Sequence, residues 1–340
     1  MRQYRLEPTA AGPMEPVKIE DAPVPEPGPG EVRVRVRACS LNYRDLLVRS
    51  GKSASGGGGS VIPLSDGAGE IDALGEGVSG WERGDRVVAG IFRDWEDGRF
   101  EMRFHKAALG GSADGVLSEF VVLSAAQLVR LPGHLTFAEG ACLPVAALTA
   151  WHSLVERGGL KSGDTVLALG TGGVSIGSLQ IAAALGAKVI VTSSSDEKLE
   201  RARALGAWHT VNYATQPDWD KTVWDLTDKR GVDHIIEVGG PGTLGRSMNA
   251  IAPGGHIGLI GVLTGFEAPE ASLFPLLARN VDLHGIYAGS RAMFERMNAF
   301  LAEKAIHPAI DREFAFDDAL AAYDWLESGR HFGKVVVNFG

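Results

Sequence analysis

Residues 165–177 read TVLALGTGGVSIG, and the predicted fold follows from this stretch. Residues 165–169 are apolar and partly β-branched, as expected of a short buried strand. A helical pattern begins near Ser175 and stops at Gly186, a residue type that commonly ends helices. The turn between strand and helix consists of Gly170, Thr171, Gly172, Gly173, Val174 and Ser175.

This turn suits the pyrophosphate of a dinucleotide. Glycines permit a tight turn and close backbone approach, and a helix N-terminus presents free N–H groups and a positive dipole end. Ser175 stands near the place of a third glycine, and its small side chain keeps the approach close. We therefore predict a dinucleotide site here, with a glycine-rich loop of another α/β fold as the alternative.

Strands and helices alternate from residue 126 to residue 290. A second helix, predicted over residues 196–205, stops at Gly206 and repeats the strand–helix–glycine unit. Short apolar strands joined by helices are typical of a doubly wound parallel sheet. The predicted strands of this six-stranded sheet are residues 165–169, 188–192, 209–212, 233–238, 256–261 and 282–287.

The first 125 residues have a different, β-rich pattern. Valines at 32, 34 and 36 alternate with arginines, which is the period of a strand with one wet face. Further strands are predicted at 69–73, 86–91 and 118–123, separated by turns, so we expect a small antiparallel barrel or sheet.

The tail, residues 291–340, mixes both patterns. Helices are predicted at 292–305 and 317–329, and a last strand at 334–339. We expect this strand to return to the first domain. The prediction is therefore an α/β protein with one domain of residues 1–125 joined by 291–340, and a nucleotide-binding domain of residues 126–290.

Composition excludes several classes of function. The 340 residues carry 33 basic and 42 acidic side chains, a net charge of −9, so no basic face for nucleic acid is expected. Two cysteines do not make a disulfide scaffold, and no apolar run is long enough for a membrane span or a signal core. We expect a cytoplasmic protein.

The end of the second predicted strand favours NADPH over NADH. An acid there would bond the ribose hydroxyls of NAD, but this chain has Ser193 and Ser194. An acid would also repel the 2′-phosphate of NADP, by about 4 kcal/mol at 4 Å and an effective dielectric of 20. Lys198, one turn into the next helix, adds a cation, although a solvated lysine is the alternative.

With these features in place, the chain resembles the medium-chain dehydrogenase/reductase superfamily. It is most similar to the zinc-independent quinone oxidoreductase-like branch, often called zinc-type alcohol dehydrogenase-like. The resemblance implies a GroES-like barrel, completed by the tail, around an intervening nucleotide domain. It is carried by the glycine turn and by PEPGPGEV at 25–32, SLNYRD at 40–45, DGAG at 66–69, GWERGDRV at 80–87 and GRHFGKVVV at 329–337.

The resemblance also indicates that no zinc is bound. Asn42 matches the first cysteine ligand of the zinc enzymes, and Ser65 and Asp66 match their His-Glu pair. Zinc takes Cys, His or carboxylate ligands, so Asn and Ser do not form a stable site. Residues 90–118 contain no cysteine for a structural zinc, and the lone His105 is expected at the surface.

Without zinc the protein lacks the Lewis acid that alcohol oxidation needs. A quinone, or a C=C bond conjugated to a carbonyl, is electrophilic enough to accept a hydride from NADPH by positioning alone. The resemblance places Asn42 beside the nicotinamide, bonding the cofactor ribose or the acceptor oxygen, with turn capping as the alternative role. Tyr43 lines the substrate site or donates a proton, with packing as the alternative.

Further cofactor contacts are implied by the resemblance. Thr149 would lie near the nicotinamide, Tyr213 near the adenosine phosphate, and Lys334 near the pyrophosphate. Backbone groups that end the later strands would complete the site, and they belong to Val238, Gly239, Ile260, Gly261, Val262, Ile286 and Ala288.

Two expectations concern surfaces. The last strand of the parallel sheet suggests, from the resemblance, a homodimer whose sheets join edge to edge. Residues 51–60, GKSASGGGGS, are predicted to be a flexible connection, with a substrate cover as the alternative. The other functions to weigh are zinc-dependent alcohol oxidation and non-catalytic NADPH sensing.

Overall fold

A computed structural model describes residues 1–10, 12–52 and 59–340 of the chain. The predicted loop at 51–60 therefore lies largely outside the described residues. The chain forms two compact units: unit 1 is Met1–Leu148 with Ala288–Gly340, and unit 2 is Thr149–Tyr287. The first boundary falls later than residue 125 because the segment before Leu148 is bonded to unit 1. Its carbonyl at Ala141 accepts from Ser40, and its N–H at Val145 donates to Asp66.

The strands are, in chain order, β1 (Gln3–Pro8), β2 (Met14–Ile19), β3 (Glu31–Leu41), β4 (Asp66–Leu74), β5 (Arg86–Ala89), β6 (Phe120–Ser124), β7 (Leu128–Arg130), β8 (Thr165–Ala168), β9 (Lys188–Ser193), β10 (His209–Asn212), β11 (Val232–Glu237), β12 (Ile251–Leu259), β13 (Asp282–Gly285), β14 (Ile310–Ala315) and β15 (Lys334–Asn338).

The α-helices are α1 (Tyr43–Arg49), α2 (Phe137–Ala141), α3 (Leu148–Trp151), α4 (Gly173–Ala184), α5 (Asp196–Ala204), α6 (Trp219–Leu226), α7 (Pro241–Ala250), α8 (Phe274–Ala278), α9 (Arg291–Lys304) and α10 (Ala319–Glu327). Two π-helical segments, Leu143–Ala147 and His152–Arg157, flank α3. None of the described helices combines the length and apolar character that crossing a membrane requires.

Unit 2 contains a six-stranded parallel sheet in the order β10-β9-β8-β11-β12-β13. This confirms the predicted doubly wound sheet. The direction of winding reverses between β8 and β11, and open α/β sheets bind ligands at the carboxyl ends of strands beside such a reversal. Apolar side chains such as Leu167, Ile190 and Ile235 are fully buried in the core of this unit.

Strand β12 is longer than predicted. It begins at Ile251 and runs through Pro253, Gly254 and Gly255, which sequence reasoning treats as a turn. Val232 pairs with Ile251, but the register shifts before His234 pairs with His256. The glycines are therefore accommodated in an irregular part of the strand, and the regular pairing starts where the prediction placed it.

Unit 1 contains the predicted β-rich sheet. Its main strand order is β14-β15-β3-β4-β5-β7, with β6 also paired to β3 and a separate β1–β2 hairpin. Strand β15 of the tail pairs antiparallel with β3, through Val335 opposite Leu41. Strand β14 was not predicted, because its sequence IDREFA has three consecutive charged residues and no clear apolar face.

Candidate functional site

The glycine turn has the geometry that a pyrophosphate requires. Gly170, two residues after the end of β8, has a φ of +74°, a conformation that favours glycine, and its N–H donates to Thr192 Oγ1 at 3.2 Å. Gly172 caps α4, a helix of twelve residues. Ser175 is buried and its hydroxyl donates to Leu169 O at 2.6 Å, which ties the first helical turn to the strand.

The same turn leaves backbone donors for a ligand. The first N–H groups of a helix have no intrahelical acceptor, and the N–H of Ile176 is the first to donate back, to Gly172 O. Gly172, Gly173 and Val174 are half-exposed, so the N–H groups of this turn lie at the surface of unit 2. The residues present therefore fit a dinucleotide pyrophosphate.

The end of β9 presents hydroxyl groups. Ser193 is 4% exposed and its hydroxyl accepts from the N–H of Ser195, whereas Ser194 is exposed. Ser195 caps α5 by accepting from the N–H of Lys198 at 3.3 Å. The nearby carboxylate of Asp196 accepts from Asn212 Nδ2 at 2.8 Å, so this acid is engaged inside the unit.

Further predicted contacts lie at neighbouring strand ends. The N–H of Tyr213 donates to Ser193 O, and the tyrosine side chain is 43% exposed. The N–H of Ile286 donates to Leu259 O, which places the residues after β13 beside those after β12. Thr149, Ile286 and Ala288 are each less than 5% exposed, so only their backbone or a small part of each side chain is accessible.

Sequence reasoning missed Glu237, the last residue of β11. This carboxylate is fully buried. Its Oε1 accepts from the N–H groups of Gly239 (2.8 Å) and Gly240 (3.0 Å) and from Thr243 Oγ1 (2.6 Å). Its Oε2 accepts from Ser247 Oγ at 2.5 Å. The sequence does contain a signal for this role. Glu237 ends an apolar strand, and Gly239, Gly240, Thr243 and Ser247 follow it as hydrogen-bond donors.

Glu237 shapes the turn that carries Val238 and Gly239. Gly240 follows with φ of +83°, and a Cβ at Gly261 would lie 2.1 Å from Val238 O. The turns after β11 and β12 are therefore in contact. The resemblance predicted five cofactor contacts in these two turns. They lie together in unit 2, and they are Val238, Gly239, Ile260, Gly261 and Val262.

Unit 1 contains a polar group of its own, which we call the lysine cluster: Asn42, Ser65, Asp66 and Lys334. Lys334 is 5% exposed. Its ammonium donates to Leu41 O and to Asn42 Oδ1, each at 2.6 Å, and lies 3.7 Å from Asp66 Oδ2. The lysine predicted to reach the pyrophosphate thus directs its ammonium into unit 1.

Sheet register assembles the lysine cluster. Ser40 of β3 pairs with Asp66, the first residue of β4, and Leu41 pairs with Val335, which follows Lys334. Asp66 is fully buried, with Oδ1 accepting from Ser65 Oγ at 2.7 Å and Oδ2 from the N–H of Val145 at 3.2 Å. Each carboxylate oxygen therefore has a partner besides the ammonium.

Asn42 is held through its backbone as well. Its N–H donates to Asp45 Oδ2 at 2.7 Å, and burial raises the pKa of Asp45 to about 6 despite the opposing charge of Arg44. The side-chain Nδ2 of Asn42 is buried and has no hydrogen-bond partner, and the residue is 9% exposed. Tyr43, the other predicted catalytic residue, begins α1 and is 42% exposed.

Comparison with known proteins identifies the family. The pattern of the alcohol dehydrogenase GroES-like domain matches residues 28–133, and that of the zinc-binding dehydrogenases matches residues 173–303. A zinc-type alcohol dehydrogenase-like protein of Schizosaccharomyces pombe is 44% identical over 309 residues, covering 88% of each chain. The chain belongs to the medium-chain dehydrogenase/reductase superfamily. The resemblance predicted from the sequence is thereby confirmed.

Other members of the medium-chain dehydrogenase/reductase superfamily differ in the activity that they are named for. The 2-methylene-furan-3-one reductase of Solanum lycopersicum is 31% identical over 308 residues, covering 88% of this chain and 70% of its own. A solved structure of an NAD-dependent alcohol dehydrogenase has a TM-score of 0.88 at 35% identity, covering 100% of both chains. The chain is an oxidoreductase of this superfamily, which binds a nicotinamide cofactor, NAD or NADP.

The lysine cluster does not have the donor set of the zinc enzymes in this superfamily. Asn42, Ser65 and Asp66 supply an amide, a hydroxyl and one carboxylate, and the Lys334 ammonium already contacts the amide. Zinc sites use thiolate, imidazole and carboxylate ligands. Across residues 1–10, 12–52 and 59–340, no three His, Cys, Asp or Glu side chains are grouped to hold a metal ion.

The segment where related enzymes carry a structural zinc is organised by aromatic rings. Trp95 and Phe104 are stacked with centroids 5.9 Å apart, and Phe92 and Phe100 meet edge to face at 5.2 Å. His105, expected at the surface, is half-buried with its ring 5.1 Å from Phe100. That expectation is wrong because the aromatic side chains of this segment form a small core that includes the imidazole.

Proposed function

We propose that this protein reduces small quinones or α,β-unsaturated carbonyl compounds, with NADPH as the hydride donor and without a metal ion. The observation that carries the proposal is the buried, unpartnered Nδ2 of Asn42. An amide N–H₂ donates hydrogen bonds only, so it suits an oxygen that gains negative charge during reduction.

The same donor is poorly suited to alcohol oxidation. An alcohol must lose its hydroxyl proton, which needs a base or a metal ion that lowers its pKa. The Oδ1 atom of Asn42 accepts from Lys334, and an amide oxygen is too weakly basic to receive that proton. The donor set around Asn42 does not fit zinc. The site therefore favours reduction over oxidation.

The residues of unit 2 that would hold the dinucleotide are the glycine turn and the neighbouring strand ends. The pyrophosphate would lie on the N–H groups of Gly172, Gly173 and Val174, and the 2′-phosphate beside Ser193, Ser194 and Lys198. Because the carboxylate of Asp196 accepts from Asn212, it is less free than an unpaired acid to turn towards Ser193 and Ser194. This supports NADPH.

The bound cofactor supplies a hydride. In the net reaction the acceptor gains that hydride at its electrophilic carbon and a proton from water, so that NADPH and one proton yield NADP⁺ and the reduced acceptor. Asn42 would donate to the acceptor oxygen as electrons move onto it, and Tyr43 would line the substrate site or supply the proton.

A homodimer formed through the outer edge of β13 is also proposed. Strand β13 pairs only with β12 among the described strands, so its other edge is unpaired. The segment between β12 and β13 exposes Leu263, Phe266, Leu273, Phe274 and Leu277, each at least 50% exposed. Large exposed apolar side chains beside an open sheet edge are typical of a subunit interface.

The test is steady-state oxidation of NADPH and of NADH with p-benzoquinone, menadione and cyclohexenone as acceptors. We expect turnover with at least one acceptor, a lower KM for NADPH, and full activity after chelator treatment. Oxidation of cyclohexanol with NADP⁺ is the comparison for the zinc-dependent alternative. Tight NADPH binding with no turnover on any acceptor would refute the proposal and support a sensor.

A further inference from the structure

We propose that Lys334 is a positioning residue that fixes the side-chain amide of Asn42, so that Nδ2 faces the carbonyl oxygen of the acceptor. This inference rests on the proposed function and narrows it. The sequence left two partners open for Asn42, the cofactor ribose and the acceptor. The hydrogen bonds of the lysine cluster favour the acceptor.

Lys334 permits only one orientation of the amide. A lysine ammonium has three donors and no acceptor, so the amide atom 2.6 Å away must be the oxygen. The reversed amide would set two donors against each other beside a buried positive charge. The Nδ2 atom is therefore the one that points away from Lys334.

The ammonium is itself held in place. Leu41 O accepts from it at 2.6 Å, and Asp66 lies 3.7 Å away as its counter-charge. Asp66 is fixed in turn by Ser65 and by the N–H of Val145. A buried lysine with these partners has little freedom to release Asn42, because an unpaired buried charge is costly.

The backbone of Asn42 is fixed by a second contact. Asp45 accepts from its N–H, so both the main chain and the side chain of Asn42 are restrained. Other charged or titratable side chains that bear on this site include Cys39, Arg44, Asp66, Cys142, Tyr323 and Lys334. Burial raises the pKa of both thiols above the usual range, so at neutral pH they are uncharged.

A buried hydrogen-bond donor held in this way destabilises the protein unless a ligand accepts from it. A buried polar group without a partner costs roughly 1–3 kcal/mol. The Nδ2 of Asn42 has no acceptor within the described residues. A carbonyl oxygen has two lone pairs and no proton, and is the complement of a donor whose own acceptor atom is occupied. A ribose or alcohol hydroxyl would leave its proton without an acceptor on this side chain.

The decisive experiment compares Asn42→Asp with Asn42→Leu. The new carboxylate accepts from Lys334 but cannot donate, so kcat/KM for cyclohexenone or menadione should fall about 100-fold at pH 9. The adjacent Lys334 ammonium favours the ionised form of this carboxylate, so the ratio of variant to wild-type kcat/KM should stay low across the neutral and alkaline range.

Asn42→Leu is the matched control, because it removes the donor and adds nothing that titrates. Its ratio should be low and independent of pH. An Asn42→Asp protein with near wild-type kcat/KM would overturn the inference, whereas absence of turnover in the wild-type protein would overturn the proposed function instead. Circular dichroism and the NADPH dissociation constant establish that each variant is folded.

Lys334→Met and Lys334→Arg separate positioning from cofactor binding. We expect Lys334→Met to lower kcat for the acceptor about 10-fold or more with an unchanged NADPH dissociation constant, and Lys334→Arg to restore most of the activity. A weaker NADPH affinity with unchanged kcat would instead place Lys334 at the pyrophosphate. If Lys334→Met does not fold, the Asn42→Asp comparison still decides the question.

Discussion

Two serines at the end of β9 are the basis of the proposed preference for NADPH. Ser193 is almost fully buried and bonded to the N–H of Ser195, while Ser194 is exposed. An acid at this place would bring a full negative charge to the 2′-phosphate of NADPH. Because NADH has no such phosphate, a single substitution here should separate the two cofactors.

We predict that Ser193→Asp weakens NADPH binding by about 10- to 100-fold and leaves NADH binding unchanged or improved. The physical reason is charge repulsion, which reaches about 4 kcal/mol at 4 Å and is reduced by solvent and salt. Dissociation constants from tryptophan fluorescence quenching measure the effect. Ser162→Asp, which adds the same charge before the amino end of β8, is the control. Equal weakening of both cofactors would contradict the assignment.

Individual residues differ in how far their roles were predictable. The glycine turn was found because its position has a local physical reason, whereas Asn42 was found through the family resemblance. Lys334 was assigned to the pyrophosphate through the same resemblance. Its actual contacts depend on the register of β15 against β3, a long-range pairing that no local pattern encodes.

At the scale of elements, three neighbouring strands of unit 2 carry a row of histidines. His234 on β11 pairs with His256 on β12, and His284 lies on β13 with its ring 5.2 Å from that of His256. Neither ring nitrogen of His256 has a hydrogen-bond partner within the described residues. Burial, and then the charges of His234, His284, Arg157 and His152, lower the pKa of His256 to about 4.

We predict that His256 makes the protein less stable in mild acid. Its pKa is about 4 when folded and 6.5 when unfolded, so the unfolded chain takes up the proton first. The full contribution to stability is present above pH 6.5 and is lost as the pH falls from 6.5 to 4. The loss at pH 5 is about 2 kcal/mol. Urea unfolding at pH 7 and pH 5 measures it.

His256→Leu should unfold at midpoints that differ less between the two pH values than those of the wild type. His209→Leu, a histidine of β10 in the same sheet, is the control and should behave like the wild type. An equal pH dependence in His256→Leu and the wild type would show that His256 is not the group responsible.

Elements with strong periodicity were predicted closely, and irregular ones were not. Helices α4 and α5 and strand β10 were predicted to within a residue or two, since their patterns are local. Strand β12 begins earlier than predicted because pairing with β11 overrides the turn preference of its glycines. The β1–β2 hairpin was missed because Pro16 interrupts the strand-like pattern of β2, which lies at an exposed edge.

At the scale of the whole molecule, the open edge of β13 and its apolar surroundings predict the oligomeric state. We expect Leu277→Glu combined with Phe274→Glu to convert a dimer into a monomer, because both side chains are more than two-thirds exposed and carboxylates would be buried on association. Light scattering after gel filtration should give twice the 35.9 kDa of one chain for the wild type.

Met102→Glu is the control for that variant. Its side chain is 76% exposed but belongs to unit 1, outside the segment between β12 and β13. It should leave the mass unchanged. A wild-type protein of single-chain mass would contradict the edge-to-edge dimer, and a dimer that survives both glutamates would place the interface elsewhere.

The division into units followed from the change of pattern along the chain. Residues 165–177 were sufficient to indicate the parallel sheet, and the alternating valines indicated the β-rich unit. The boundary near Leu148 was not visible in the sequence, because the helical segment before it resembles those of unit 2 yet is bonded to unit 1.

The pairing of β15 with β3 also has a consequence for biosynthesis. A ribosome completes all of unit 2 before it reaches Lys334. Until then, β3 lacks its neighbour β15. Asp66 and Asn42 likewise lack the Lys334 ammonium. The lysine cluster can therefore assemble only after the whole of unit 2 has been synthesised.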